Sequence, residues 1–176
     1  MRRFKLALLF LAVCLISTAF VPARKTGSMK WMSLEEAKAA FAKEKKPILI
    51  DLYTDWCGWC KVMDKKTYTN AALAEYLQKN FYPVKLNAET RDAIQWGNKT
   101  YHFNAGYKTN EFAVFLTYGQ LSFPTTVIIP TDSTGPLPLA GYLEPRDLEP
   151  VLRYFGEGRY GKQRFDDFKN SFKPSW

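Results

Sequence analysis

Two thiols with two residues between them lie in the run Trp56-Cys57-Gly58-Trp59-Cys60. That spacing suits redox chemistry, because the pair can alternate between a dithiol and a small-loop disulfide. The apolar run Pro47–Tyr53 precedes it, interrupted by one charge at Asp51, and Lys61–Lys66 behind it reads as helix. A strand, a tight turn and a helix therefore meet at the two sulfurs. Unpaired backbone N–H groups and the helix dipole favour negative charge at a helix N-terminus. Cys57 is accordingly expected to ionise readily, with Cys60 beneath it.

The elements that must position this pair follow from the rest of the chain. Its 176 residues are 47% hydrophobic, enough for one domain with a real core. The formal charge is +8, and setting aside Arg2, Arg3 and Lys5 leaves about +5, an excess that favours acidic partners or an anionic surface. The lysines and arginines are scattered without a nucleic-acid motif, so a solvated basic surface is expected and no nucleic-acid partner. Residues 1–23 read as a secretory signal: a basic start, an uncharged apolar run Leu6–Val21, and small residues at Ser17-Thr18-Ala19 and Val21-Pro22-Ala23. The alternative is an uncleaved membrane anchor, although the run is short of the ~20 residues a spanning helix wants. Cys14 lies in this leader, so cleavage leaves Cys57 and Cys60 alone. An isolated close pair in an exported protein points to a working redox couple.

Residues 24–32 read as a linker. Ser33-Leu34-Glu35-Glu36 is a capping box opening a helix to about Lys43. Ile48–Tyr53 has the doubly apolar pattern of a buried central strand, which would bury Asp51 as well. The motif helix is expected to run to about Tyr68, and Asn70 to cap a helix over Ala71–Lys79. Phe81–Asn87 reads as the next strand. From Ala88 to Lys108 the chain turns polar and aromatic, and a segment that long is usually functional or carries structure of its own. A helix starting at Thr109 or Asn110 should close at Gly119, followed by a strand Leu121–Ile129 entered through Pro124. Asp132–Gly135 reads as a hairpin turn into Leu137–Leu139, with Gly141 as a candidate bulge. A last helix spans about Arg146–Phe155, and the tail 157–176 shows no clear periodicity.

Taken alone, this pattern gives an α/β domain with a mixed sheet. Four features together resemble the thioredoxin superfamily: the Trp56–Lys61 motif, Asp51, Lys85 in Val84-Lys85-Leu86-Asn87, and Tyr118-Gly119 followed by Phe123-Pro124-Thr125. The Trp-Cys-Gly-Trp-Cys-Lys version of the motif resembles that of the superfamily's exported bacterial branch, which includes the C-terminal domain of DsbD. The resemblance implies a thioredoxin fold over residues 33–156, with a central mixed sheet, flanking helices and an insertion at about 88–108 before a cis-proline loop. Trp59 stands where thioredoxin has proline.

The resemblance further implies an envelope or periplasmic thiol:disulfide oxidoreductase, most readily a reductase of protein disulfides. Cys57 attacks, Cys60 resolves, and Asp51 accepts the Cys60 proton. Burial should raise the pKa of Asp51 and Lys85 should lower it, with the winner open. Trp56, Trp59, Phe123, Pro124 and Thr125 are the expected substrate contacts, and Gly58 and Lys85 the supporting residues. No cofactor is expected beyond the Cys57–Cys60 disulfide. Expected partners are protein or peptide disulfides and an upstream dithiol donor, such as a membrane protein; the chain itself is expected to be monomeric. Oxidase and isomerase activities share these residues and stay open. A structural zinc ion takes four ligands, and two cysteines with a distant His102 fall short, so no metal site is expected. A further alternative is a binding module that uses the aromatic segment Trp96–Tyr107, against which stands an extra helix or loop capping the core.

Overall fold

The computed structural model describes residues 28–132 and 134–176. The expected leader, with Cys14, lies outside the described residues.

The fold is built outward from β1 (Ile48–Tyr53), which is central because both its faces are apolar. It pairs in parallel with β2 (Tyr82–Asn87) and antiparallel with β7 (Thr125–Ile129), and β7 pairs antiparallel with β8 (Leu137–Ala140). The sheet order is β2-β1-β7-β8, a mixed sheet. On one face Ile48, Ile50 and Leu52 pack with α1 (Leu34–Lys43) and α4 (Glu111–Leu116), through Leu34, Ala37, Phe112 and Leu116. On the other, Leu49 and Ile128 meet α2 (Gly58–Lys66), α3 (Ala71–Asn80) and α5 (Pro145–Gly156), through Met63, Leu73, Leu77, Leu148 and Leu152. The parity of β1 puts Asp51 on this second face. The capping box is present: Ser33 Oγ accepts from the Glu36 N–H, and the Glu36 carboxylate accepts from the Ser33 N–H at 2.7 Å. No helix among the described residues is long and apolar enough to cross a membrane.

Several boundaries differ from the sequence expectation. The motif helix stops at Lys66, and Thr67 and Tyr68 are turn residues whose N–H groups both reach back to the Met63 carbonyl. Thr109 and Asn110 are not helical: they form β6, paired with β5 (Phe103–Asn104), and α4 begins at Glu111 under an Asn110 cap. Residues 121–124 precede the strand rather than belong to it. Gly141 marks no bulge, since pairing runs unbroken from Ile128↔Leu137 to Thr125↔Ala140. It sits just past the strand at φ +95°, where glycine is favoured, and its N–H donates to the Pro124 carbonyl at 2.8 Å.

The insertion carries two small hairpins, β3 (Ile94–Trp96) with β4 (Lys99–Tyr101), and β5 with β6. Strands of two or three residues are too short to show alternation. Asn110 ties the insertion to the domain, its amide donating to the carbonyls of Thr90 and Asp92. The tail forms a short helix, α6 (Phe165–Ser171), which packs Phe168 on Tyr154, while Trp176 rests on Tyr76.

Candidate active site

The chain leaves β1 at Tyr53 and turns through Thr54, whose carbonyl accepts from the Cys57 N–H at 3.2 Å. Cys57 is the N-cap of α2, and its Sγ accepts from the Cys60 N–H at 3.0 Å. The two sulfurs are bonded as a disulfide, with the Cα atoms 5.3 Å apart. No acidic residue occupies the first turn of α2, while Lys65 and Lys66 occupy its last. The dipole at Cys57 is thus unopposed by a nearby carboxylate within the helix. A Cβ added at Gly58 would meet nothing within 4 Å, so packing does not demand glycine there.

Cys57 is only 4% exposed in this oxidised state, between Trp56 at 67% and Trp59 at 61%. The two indoles are anchored differently. Trp56 donates from Nε1 to Glu89 at 3.0 Å and meets Phe123 edge-on at 6.0 Å. Trp59 lies against Tyr142 at 5.5 Å. Register places the proline loop at the same end of the sheet, because Leu52 pairs with Thr125. The Phe123–Pro124 peptide bond is cis. Thr125 is buried, and its hydroxyl donates to the Ser122 carbonyl at 2.7 Å, which fits a loop-holding role better than substrate contact.

Asp51 is 2% exposed and faces Lys85 across the β1–β2 pairing, with Oδ2 at 3.1 Å from Nζ. The same ammonium is tightly paired with Asp64, on α2. By strict hydrogen-bond geometry Asp51 Oδ1 and the buried hydroxyls of Thr54, Tyr68 and Thr126 have no partner among the described residues, although Tyr68 lies close enough to Asp51 to act on its acidity. Burial is the largest influence on Asp51 and outweighs the attraction of Lys85, so its pKa rises to about 6. For Lys85 burial acts to lower the pKa, but the two carboxylates outweigh it and the net shift is upward. Burial also pushes the Tyr68 hydroxyl well above the usual tyrosine value. Lys85 further lies over the rings of Tyr53 and Trp31, at 5.0 and 5.5 Å.

Sequence reasoning missed Asp64, Tyr68 and Trp31. Asp64 was readable: it stands four residues after Cys60, on the same side of the motif helix. His102 lies in the insertion, where its backbone N–H donates to the Glu111 carboxylate, and it joins no part of this cluster. Of the aromatic segment, Trp96 and Tyr101 pack on Phe112, at 5.4 and 5.3 Å, and so belong to the core.

Residues 30–125 match the thioredoxin-like family. An uncharacterized protein of Caenorhabditis elegans is 40% identical over 118 residues, 65% of this chain and 14% of that protein. A protein disulfide-isomerase of Schizosaccharomyces pombe is 29% identical over 128 residues, 70% of this chain and 28% of its own. The thiol:disulfide interchange protein DsbD of Pectobacterium atrosepticum is 34% identical over 47 residues, 27% of this chain and 8% of its own. The chain thus spans less than a third of the length of each of these curated relatives. Among solved structures, a thioredoxin from Thermus thermophilus superposes with a TM-score of 0.53 at 17% identity, over 78% of this chain and 99% of that one. A putative disulphide-isomerase from Bacteroides thetaiotaomicron gives 0.51 at 23% identity, over 79% and 100%. These two likenesses show the fold. With the match over residues 30–125 and the bonded cysteine pair, they lead to one assignment: the chain belongs to the thioredoxin-like family of disulfide oxidoreductases.

Proposed function

We propose that this chain reduces disulfide bonds of proteins in the cell envelope by dithiol exchange through Cys57 and Cys60. The observation that carries the reading is the pair of sulfurs at the N-terminus of α2, with a buried acid of raised pKa on the sheet face that packs against that helix. In the reduced protein, the Cys57 thiolate attacks one sulfur of a substrate disulfide. That S–S bond breaks, one substrate thiolate leaves, and a mixed disulfide forms. Cys60 then gives its proton to Asp51 and attacks the Cys57 sulfur. The second substrate thiolate departs, and two electrons have passed to the substrate. An acid with a pKa of about 6 is ionised often enough at neutral pH to accept that proton and basic enough to hold it. Electrons travel on the sulfurs, so no bound cofactor is required, and an external dithiol donor restores the reduced pair. Trp56, Trp59 and the Phe123–Pro124 edge form the rim that a substrate strand would meet. Envelope location rests on the basic, then apolar, leader in residues 1–23.

Insulin reduction with dithiothreitol tests this. Cys57→Ser and Cys60→Ser should each abolish it, and full activity in both variants removes the dithiol mechanism. The names of the relatives cover both interchange and isomerisation, and the potential of the pair separates the directions. A value near ~−270 mV, as in thioredoxin, supports reduction, and one near ~−120 mV, as in DsbA, replaces it with oxidation.

A further inference from the structure

One cavity adjoins the active-site rim and belongs to the insertion. It measures about 470 Å³ and is lined by Asp55, Asn87, Glu89, Arg91, Phe103 and Lys108. Trp56, next to Cys57 in sequence, connects it to the redox pair through its hydrogen bond to Glu89. The two acids are engaged by the fold: Asp55 accepts from the Asn87 amide at 3.1 Å, and Glu89 from the Trp56 indole. The two cations are not. Among the described residues neither Arg91 nor Lys108 makes an ion pair. The Arg91 guanidinium lies over the Phe103 ring at 4.5 Å. A guanidinium held over a ring by one face can still use its edge N–H groups, and such a fork takes a carboxylate with two parallel hydrogen bonds. Lys108, in the turn between β5 and β6, adds a second positive charge at the same mouth.

We infer that this cavity is a subsite for an acidic side chain on the polypeptide whose disulfide is exchanged, with Arg91 as the bidentate anchor and Lys108 as its electrostatic support. The inference rests on the oxidoreductase reading above. It gives the insertion a task beyond that of Trp96 and Tyr101, which serve the core. Asp55 and Glu89 repel the same ligand and confine its carboxylate to the Arg91–Lys108 side. Selection is for an acidic residue near the reacting cysteine rather than for acidic proteins in general.

The test uses reduced full-length protein and short peptides with one cysteine activated as a mixed disulfide with thionitrobenzoate. Glutamate or glutamine is placed in turn at each position flanking that cysteine, and chromophore release gives the rate. At low salt the best glutamate peptide should react about two to five times faster than its glutamine twin, the upper part of the range for a charge pair at an accessible site. That ratio should fall to about one in Arg91→Gln/Lys108→Gln and take an intermediate value in Arg91→Lys, which keeps the charge and loses the fork. It should also shrink at high salt, where screening shortens to a few Å, about 3 Å at 1 M. A ratio of one at every position in the unaltered protein overturns the inference, as does a ratio that survives the double substitution. If no peptide reacts at all, the oxidoreductase reading fails instead. Tryptophan fluorescence with the serine analogues of the same peptides then measures the glutamate preference as binding alone, and equal binding of both analogues overturns the subsite.

Discussion

Two carboxylates are buried in this molecule to the same depth, Asp51 at 2% exposed and Glu149 at 1%, and they are treated in opposite ways. Glu149, on α5, is saturated. Its oxygens accept from the Ser175 N–H at 2.6 Å, the Ser175 hydroxyl at 2.7 Å and the Trp176 N–H at 3.0 Å, with the Arg153 guanidinium 3.6 Å away. Arg153 in turn lies over the rings of Tyr76 and Trp176. Asp51 has, among the described residues, one cation, which it shares with Asp64. A buried charge costs little only when its hydrogen bonds are complete. Glu149 meets that condition and clasps the chain end. For Asp51 burial outweighs the pull of Lys85, and its proton is therefore held more tightly. Asp51 is the one on β1, the strand that leads into the cysteine helix.

The largest separation between the two should appear in kinetics. Asp51→Asn should slow resolution of the Cys57 mixed disulfide about 10²-fold at pH 7, the lower range for loss of a positioned proton acceptor. Glu149→Gln should leave that rate within about twofold. The measurement is single-turnover release of a chromophoric thiol, and equal rates in both variants would remove Asp51 from the reaction.

Stability should show the reverse. Glu149→Ala frees the Ser175 and Trp176 N–H groups and strips Arg153 of its buried partner, at a cost of about 2–4 kcal/mol. Urea unfolding of the oxidised protein reads the loss, and Trp176 should leave its contact with Tyr76. Asp51→Asn should stabilise the oxidised protein at pH 7. The folded pKa of Asp51 is about 6, against about 3.9 in an unfolded chain. The native state therefore binds the proton more tightly, and the contribution of Asp51 is fully favourable below about pH 4 and lost as pH rises through 6. A two-unit difference corresponds to about 3 kcal/mol, which bounds the gain from Asp51→Asn at pH 7. The gain should vanish by pH 4. A variant less stable than its parent at pH 7 would contradict this account.

The difference between the two acids was half legible in the sequence. Asp51 stands out as the one charge in an otherwise apolar strand, and a strand apolar on both faces must be central, so its burial followed from local pattern. The capping box at Ser33 and the cap at Asn70 were readable for the same reason: each is a local competition for a few N–H groups. Glu149 gave no such sign. It sits in an amphipathic helix, and its partners lie 26 and 27 residues away, in a tail whose seven-residue helix is too short to announce itself by periodicity. The insertion failed on the same ground, since hairpins of two- and three-residue strands are fixed by Asn110 and by packing on Phe112 rather than by their own pattern. The Lys85–Asp64 pair needed the register of α2 against β2, which only the tertiary structure supplies.

That pair provides the finest test of why Asp51 is poised. Asp64 acts on it in two ways, as a negative charge that raises its pKa and as a rival for the Lys85 ammonium. Asp64→Asn removes the charge and returns Lys85 to Asp51 alone, and both changes favour the Asp51 carboxylate. The pKa of Asp51 should therefore move down from about 6, and the pH midpoint of the resolution step should move down with it. The side chain of Asp64 is 40% exposed, so solvent and salt screen its charge, and the shift should be the smallest of these effects and smaller still at high salt. A rate–pH profile of resolution between pH 4 and 8 measures it. A midpoint that stays in place or rises would mean that burial alone sets the acidity of Asp51 and that Asp64 serves only to hold α2 against the sheet.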